Sequence, residues 1–448
     1  MKKNFFKTIA LTSLVVCCSS CNKENEPPVV PPENGESYLL VTNNGQINPN
    51  PTVANMRITY LPNLNNAAID CSNFPTIEHA NTSGLRFVYK DKWLFVRSNK
   101  RGDRGIQKYI LGEDGKLQDA GFIPAPFPSH LLPVKFCIAD DSKGYYVTQL
   151  DPFVVHMFNP STMQKTEDKI DLRQVVKDFK PNIDAEFEGK LGEEKPFAIV
   201  GQETVVCSNG KLFVNVHYGH TKGKGVHDAL YNEFYLAVID MTTNRFERII
   251  TMPDIYNQGL PPLENQFYTQ DAEGSTYMIS LQWNNYDPAE GIVLKSMDEA
   301  HLFKLGANGE FDSDWRIKPS DLDGVTTSVV ACRVFESLFA FDNDLYVSVS
   351  RTGVLPYGLN NIKNADFEIY RIDTKTKAAT KIEVPITTPN APSGSFYQIG
   401  DELFIRVVNP DENINGFYKL NKDKKTTTKV FNVNESSGIV FSLIKLRR

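Results

Sequence analysis

Residues 205–250, VVCSNGKLFVNVHYGHTKGKGVHDALYNEFYLAVIDMTTNRFERII, contain the pattern that decides the fold. Asn209-Gly210 favours a tight hairpin turn between the first two strands of this stretch. The sequence predicts a four-stranded antiparallel unit with a long polar loop, residues 217–232, between its second and third strands. The four predicted strands are 205–207, 212–216, 235–240 and 245–250.

The same pattern recurs along the chain at intervals of roughly fifty to seventy residues. Because one four-stranded sheet cannot bury both of its faces, repeated sheets of this kind pack face to face in a ring. The sequence therefore predicts an all-β protein, a β-propeller. The repeated turn and second strand occur at 90–98, 141–149, 208–216, 272–280, 342–350 and 400–408, and the third and fourth strands follow at 107–118, 155–164, 236–246, 301–311, 369–379 and 418–428.

The two ends of the chain supply a further unit. Predicted strands at 37–42 and 56–61 combine with one at 439–446 in a shared blade, which closes the ring without an exposed sheet edge. We therefore expect seven four-stranded blades in a single domain, residues 37–448.

One helix interrupts the repeat between the third and fourth blades. We expect Asp171 to be its N-cap and the helix to lie on the rim of the ring. Its apolar positions have helical spacing and are Leu172, Val175, Val176 and Phe179.

The composition excludes some partners. The formal net charge is −6, so the chain as a whole has no electrostatic basis for binding nucleic acid or an anionic membrane surface. Residues 1–20 contain three early lysines followed by an apolar run, 9–18, that is too short to span a membrane. These residues are predicted to be a signal peptide.

The end of this segment resembles a bacterial lipobox. Ser19-Ser20 directly precede Cys21, although Cys18 stands where Leu is usual. The resemblance implies a lipidated Cys21 followed by a Pro-rich spacer, residues 21–36, and the alternative is an ordinary cleaved signal peptide. The Lys and acidic residues after Cys21 resemble a surface-export signal of Bacteroidota lipoproteins, so we expect a lipid-anchored protein of the outer membrane, displayed on its outer surface.

Four more cysteines lie in the body of the chain, more than sixty residues apart and without metal-ligand spacing: Cys71, Cys137, Cys207 and Cys332. Buried thiols are the favoured interpretation. A disulfide in an oxidising compartment is the alternative; its pairing stays open, with Cys71 among the candidate partners.

The predicted loops differ in length between the two faces of the ring. Turns between strands one and two, and three and four, are short, whereas loops between strands two and three, such as 98–105, 217–232, 281–299 and 351–366, are long. Long loops on one rim of a rigid scaffold are the usual place for binding. The candidate ligand-binding residues are Arg97, Lys100, Arg101, Arg104, His217, Tyr218, His220, Lys222, Lys224, His227, Trp283, Tyr286, Arg351 and Tyr357.

Cations beside aromatic side chains favour an anionic, partly aromatic ligand. A solvated, merely charged set of loops is the alternative. His217, His220 and His227 could ligate a metal, but exposed loop histidines are the favoured interpretation and we predict no protein metal site. Because the chain contains no recognisable catalytic motif, we expect no enzymatic activity.

The signal segment, spacer and divergent propeller together resemble DUF4374-type surface lipoproteins of gut Bacteroidota. Within that group the chain is similar to the siderophore-capturing lipoproteins of xenosiderophore-uptake systems. The resemblance implies capture of a ferric catecholate siderophore, with iron carried by the ligand and no intrinsic cofactor. It also implies delivery to a TonB-dependent outer-membrane transporter. A glycan-binding or glycan-cleaving propeller and an interaction scaffold for a transporter are the alternatives.

Overall fold

The computed structural model describes residues 35–43, 56–79, 87–100, 103–125, 134–148, 150–220, 229–256, 268–280, 282–284, 295–296, 298–323, 325, 333–354, 366–388 and 394–448. In these residues, strands numbered β1 to β31 along the chain form seven antiparallel blades in a ring. The predicted seven-bladed β-propeller is confirmed. No helix in this part of the chain has the length and apolar character needed to cross a membrane.

The first four blades, each written in its order of pairing, contain the following strands. Blade 1 contains β31 (Val440–Arg447), β1 (Glu36–Asn43), β2 (Met56–Leu61) and β4 (Thr76–His79). Blade 2 contains β5 (Phe87–Tyr89), β6 (Trp93–Lys100), β7 (Asp103–Leu111) and β8 (Leu117–Pro124). Blade 3 contains β9 (Lys135–Ile138), β10 (Gly144–Val147), β11 (Val154–Asn159) and β12 (Gln164–Asp171). Blade 4 contains β13 (Pro196–Ser208), β14 (Lys211–His220), β15 (Glu233–Asp240) and β16 (Arg245–Pro253).

The remaining blades follow the same pattern. Blade 5 contains β17 (Tyr268–Gln270), β18 (Thr276–Ser280), β21 (His301–Leu305) and β22 (Phe311–Ile317), with a small hairpin of β19 (Trp283–Asn284) and β20 (Lys295–Ser296). Blade 6 contains β23 (Arg333–Phe341), β24 (Asp344–Val354), β25 (Phe367–Asp373) and β26 (Ala379–Lys381). Blade 7 contains β27 (Phe396–Ile399), β28 (Glu402–Asn409), β29 (Ile414–Leu420) and β30 (Thr427–Val433), with β3 (Ala68–Ile69) added beside β30. Short helices are α1 (Arg173–Phe179), α2 (Ile183–Glu186) and the 3-10 turns Cys71–Asn73, Pro319–Asp321, Pro410–Glu412 and Glu435–Ser437.

The antiparallel order divides the connections between two faces. We call the face with the turns between strands one and two, and three and four, the turn face, and the opposite one the loop face. Asn209 and Gly210 both have positive φ, 46° and 77°, in the turn between β13 and β14. These are the dihedrals of a type I′ hairpin, which an Asn-Gly pair adopts at little cost.

The core lies between blades rather than at one centre. Within the described residues, one hydrophobic cluster occupies each of the seven blade interfaces. Leu39 and Val41 of β1 pack toward blade 2, whereas Leu40 packs toward blade 7. Successive side chains of a strand point to opposite faces, so each blade buries both of its faces against its neighbours.

Blade 1 closes the ring. β31 pairs with β1, and the backbone N–H of Arg448 donates to the carbonyl of Gly35 at 2.9 Å. The shared terminal blade predicted from the sequence is confirmed. A second link was not predicted: the segment between β2 and β4 reaches blade 7, where β3 pairs in parallel with β30.

Hydrogen bonds between neighbouring blades hold the turn face together. The side chains of Lys108, Lys143 and Asn209 each donate to a backbone carbonyl in the next blade. The side chain of Lys424 in blade 7 reaches back to blade 6, where it donates to the carbonyl of Asp342 at 2.9 Å. Each bond satisfies a carbonyl in a turn of the adjacent sheet. These bonds therefore link neighbouring blades along the turn face.

The predicted helix is present, but its start differs from the prediction. The N-cap is Leu172, without a side-chain capping bond, and not Asp171. Oδ1 of Asp171 instead accepts from the backbone N–H of Arg173 at 2.9 Å. The N-cap is displaced by one residue because β12 continues through Asp171, whose backbone pairs with Val154.

Candidate functional site

The loop face brings together the ends of the strands that carry the predicted binding residues. Arg97 and Lys100 lie on β6, and Arg104 lies on the neighbouring β7. Trp283 lies on β19 of the small hairpin between strands two and three of blade 5, and Arg351 lies near the end of β24 in blade 6. Three blades therefore direct their candidate strand ends to one face of the ring.

Several predicted positions lie outside the described residues. For Arg97, Lys100 and Trp283 the placement is that of the backbone. The predictions outside the described part of the chain are Cys21, Arg101, Lys222, Lys224, His227, Tyr286 and Tyr357.

Two predicted loops are shorter than expected. Residues 98–105 were expected to be a loop, but β6 and β7 pair as far as Lys100 and Asp103. The loop predicted at 217–232 begins later as well, because β14 continues to His220. The reason lies in β13, which starts at Pro196 and supplies a pairing partner for this extension.

His217, Tyr218 and His220 are therefore strand residues and not the exposed loop residues that were predicted. They are 4%, 3% and 5% exposed. Nδ1 of His220 lies 2.5 Å from a carboxylate oxygen of Glu194, and the His217 ring packs edge-on against Phe197. Both histidines contact side chains of the same chain, Glu194 and Phe197. The sequence suggested an exposed loop because polar residues are uncommon in a buried strand.

A cluster of aromatic rings lies at the same end of blade 4. Tyr218, Tyr231 and Tyr235 pack edge to face, with ring centroids 5.6–6.4 Å apart. Nζ of Lys180, just after α1, lies 4.0 Å from the centroid of Tyr231 and 3.4 Å from a carboxylate oxygen of Glu233. A cation held over an aromatic face and beside a carboxylate fixes the helical insertion to the blade.

The environment of these phenols raises their pKa values further above neutrality. The pKa of Tyr218 is raised by burial, and the pKa values of Tyr231 and Tyr235 are raised by burial and by neighbouring carboxylates. The hydroxyl groups of Tyr218 and Tyr231 act as hydrogen-bond donors. Tyr218 donates to the carbonyl of Val176 at 2.7 Å, and Tyr231 donates to Glu186 at 2.8 Å.

Sequence reasoning missed a buried carboxylate in blade 4. β13 has an irregularity between Val200 and Val205, and Glu203 within it is 3% exposed. The backbone N–H groups of Glu203 and Thr204 donate to Oδ1 of Asn215, at 2.9 and 3.0 Å. The available signal was a polar run, Gly-Gln-Glu-Thr, inside an otherwise apolar strand, since bulges of this kind occur beside functional sites.

The cavity beside these residues is too small for an organic ligand. It is lined by Glu203, His217, Tyr218 and neighbouring aromatics, and its volume of about 10 Å³ is close to the space of one water molecule. Within the described residues, no group of three or more His, Cys, Asp or Glu is arranged to hold a metal ion. What the described residues show of the blade 4 cluster is its contact with the helical insertion through Tyr218 and Lys180.

Arg104 and Arg351 differ in exposure. Arg104 is half-buried, whereas the side chain of Arg351 is 47% exposed. Nε of Arg351 lies 3.9 Å from Glu368, and the same carboxylate accepts a shorter bond, 2.6 Å, from Lys381. Asp366, which accepts a hydrogen bond from Oγ of the adjacent Ser350, lies at the same strand ends. The formal charges of these two cations and two carboxylates therefore balance on the loop side of blade 6.

A larger depression lies on the turn face, between blades 5, 6 and 7. Its volume is about 1040 Å³, which is at the upper limit for ligand-binding cavities. Both charge signs and amide groups line it, so it has no single electrostatic preference. The polar residues around it include Asp271, Asp342, Asn343, Asp401, Glu402, Asn421, Lys422 and Lys424.

Together these features define the class: a seven-bladed β-propeller with strand ends carrying cations and aromatics on one face. A candidate 6-phosphogluconolactonase from Bacteroides uniformis has a similar structure, with a TM-score of 0.50 and 11% identity over 92% of this chain and 100% of that one. A second candidate 6-phosphogluconolactonase, from Bacteroides fragilis, gives a TM-score of 0.46 and 12% identity over 92% and 98% of the two chains. At such low identity the similarity concerns the fold alone. No protein-family model and no curated protein matches the chain in sequence.

Proposed function

We propose that this propeller is a non-catalytic binding protein that captures an anionic, aromatic ligand of the ferric catecholate class on its loop face. The observation that carries the proposal is the convergence of strand ends from blades 2, 5 and 6, which bear Arg97, Lys100, Arg104, Trp283 and Arg351, on that face. The buried His217, Tyr218 and His220 support that surface from below rather than contact the ligand.

The chemistry of the ligand follows from these side chains. A ferric tris-catecholate complex carries three negative charges and presents flat aromatic rings. Arg and Lys attract the charge, Arg offers bidentate hydrogen bonds, and Trp or Arg can stack on the rings. Attraction between a local cationic surface and a multiply charged ligand also accelerates the encounter, even on a protein of net charge −6.

The cellular role belongs to the same proposal. A lipid on Cys21 would hold the propeller at the outer membrane, and the cargo would pass to a TonB-dependent transporter. Iron would arrive with the ligand, so the protein itself would need no cofactor. The resemblance to siderophore-capturing lipoproteins supports this part.

Direct titration tests the binding proposal. Ferric enterobactin added to the purified chain should release heat in a calorimeter and quench Trp fluorescence, with half-saturation at or below micromolar concentration. The Trp283→Phe variant distinguishes quenching of Trp283 from absorption of light by the ligand, because Trp93, beside the turn between β5 and β6, and the buried Trp315 remain in place. If micromolar ferric enterobactin neither releases heat nor quenches Trp fluorescence, the proposed binding function is wrong.

A second candidate function is glycan binding in the turn-face depression. The observation that favours it is the lining of carboxylates, amides and lysines around about 1040 Å³, since such groups can hydrogen-bond a neutral sugar. Affinity electrophoresis in gels containing polysaccharide tests it, with Glu402→Gln as the site variant. Retardation that Glu402→Gln abolishes, without any response to ferric enterobactin, would replace the first function by the second.

A further inference from the structure

Two thiols meet at the interface between blades 3 and 4. Cys137 lies on β9 and Cys207 on β13, and their Sγ atoms are 2.7 Å apart. Both are free thiols in this structure. The expectation of buried thiols holds for Cys137 and for Cys71, whereas Cys207 is half-buried; Cys332 lies outside the described residues.

We propose that Cys137 and Cys207 form a disulfide that joins blades 3 and 4 when the chain is exposed to a thiol oxidant. The two sulfurs come from neighbouring blades that the chain connects only through residues 138–206, so the bond would be a true cross-link. The closed loop would include the rest of blade 3, α1 and α2. The inference assumes an exported protein, as the proposed function does, but it does not depend on the ligand.

The difference in exposure sets the order of the reaction. Cys207 is half-buried and is the more exposed of the two residues, whereas Cys137 is 6% exposed. Burial and the neighbouring Cys207 sulfur raise the pKa of the Cys137 thiol, so it is the weaker first nucleophile. Cys207 therefore attacks the oxidant, and Cys137 completes the bond.

The oxidant belongs to the class of disulfides, R–S–S–R, such as a thiol oxidase's active-site disulfide or oxidised glutathione. The Cys207 thiolate attacks one sulfur, forms a mixed disulfide and releases R–SH. The Cys137 thiolate then attacks Sγ of Cys207 and releases the second R–SH. Two protein thiols are oxidised, one disulfide is reduced, and both protons end on the released thiols.

Cys71 lies at a different blade interface from Cys137 and Cys207. Cys71 is 1% exposed and packs in the cluster between blades 7 and 1. Its backbone N–H donates to Oγ of Ser437 at 2.9 Å, which fixes it at that interface. Substitution of Cys71 is therefore a matched control: it removes a buried thiol from the core but leaves the Cys137–Cys207 pair intact.

Peptide mapping of the full chain tests the cross-link. The native protein is treated with oxidised glutathione, blocked with an alkylating agent in denaturant and digested with trypsin. We expect residues 136–143 and 191–211 to be joined through a disulfide, since Lys195 is followed by Pro and is not cleaved. Alkylated thiols at both Cys137 and Cys207, or a bond from either to Cys71 or Cys332, would overturn the proposal.

Thermal unfolding gives an independent measurement. A bond closing a loop of this length should raise Tm by roughly 5 °C over the reduced protein. Cys207→Ser should lose both the linked peptide and this difference, whereas Cys71→Ser should retain both. If Cys207→Ser fails to fold, the mapping of the unmodified chain still decides, because that chain needs no substitution. Retention of the linked peptide together with an unchanged Tm would overturn the structural role of the bond.

Discussion

Tyr218 of β14 donates a hydrogen bond from its hydroxyl to the backbone carbonyl of Val176 in α1, at 2.7 Å. Both residues are buried, and the bond ties the helical insertion to blade 4. Tyr218→Phe leaves that carbonyl without the phenol, so the free energy of unfolding should fall by about 1 kcal/mol. Amide exchange over residues 173–187 should accelerate. The control is Tyr231→Phe, which removes a more exposed bond to Glu186 and should have less than half the effect; equal effects would contradict the assigned role.

His301 makes stability depend on pH. Burial, together with the nearby charges of Lys318 and Arg316, lowers its pKa from 6.5 to about 4, against the opposing effect of Asp298. Between these values the unfolded chain binds a proton that the folded chain does not, so the free energy of unfolding falls as pH drops from 6.5 to 4. We expect His301 to contribute about 2 kcal/mol to this fall, after allowance for screening by solvent.

Urea unfolding at pH 7, 5.5 and 4.5 measures this dependence. His301→Gln should flatten it, and His156→Gln is the control, since burial also lowers the pKa of His156 but its ring is less enclosed. A slope between pH 7 and 4.5 that is unchanged in His301→Gln would assign the acid sensitivity to other groups.

Lys424 braces blade 7 against blade 6. Its Nζ lies 2.9 Å from a carboxylate oxygen of Asp344, which is 8% exposed on its side chain, and 2.7 Å from Asp342. Lys424→Met should lower the free energy of unfolding by about 1 kcal/mol, because a mostly buried carboxylate loses its main cation. Lys422→Met, two residues away and exposed, should change it by less than about 0.5 kcal/mol. If urea unfolding gives similar free energies for the two variants, Lys424 does not stabilise the contact between blades 6 and 7.

Positive charge on the loop face should control ligand affinity. Arg351→Ser, and the double variant Lys222→Ser with Lys224→Ser, should each raise the Kd for ferric enterobactin about tenfold, and raising the salt concentration should weaken binding to the unsubstituted chain. Lys422→Ser on the turn face is the control and should leave Kd unchanged. Calorimetric titration checks all three. An unchanged Kd in both Arg351→Ser and the double variant would move the site elsewhere.

The repeat made the ring predictable from the sequence. Turn pairs such as Asn209-Gly210 require a backbone that few residues adopt readily, so their positions mark the hairpins. The terminal strands were predictable because a ring without them would leave a sheet edge open. The parallel addition of β3 to β30 was not, because two residues carry too little periodicity to predict a strand.

The candidate site was less predictable, since burial of polar side chains depends on partners far along the chain. His220 pairs with Glu194, and its strand pairs with residues that begin at Pro196, before the repeat that the sequence shows. Nothing local in the His-Tyr-Gly-His sequence distinguishes a buried strand from a polar loop. Glu203 was missed for the same reason, because its partner Asn215 lies on the next strand.

The bond between Arg448 and Gly35 fixes where the chain enters the ring. β1 begins at the turn face, beside Asp91 in the first turn of blade 2, which accepts from the backbone of Arg447. β1 therefore starts on the face opposite to the strand ends that carry Arg104 and Arg351. If the proposed lipid on Cys21 anchors the chain, its attachment point is at the turn face, and the proposed ligand surface lies on the opposite side of the ring.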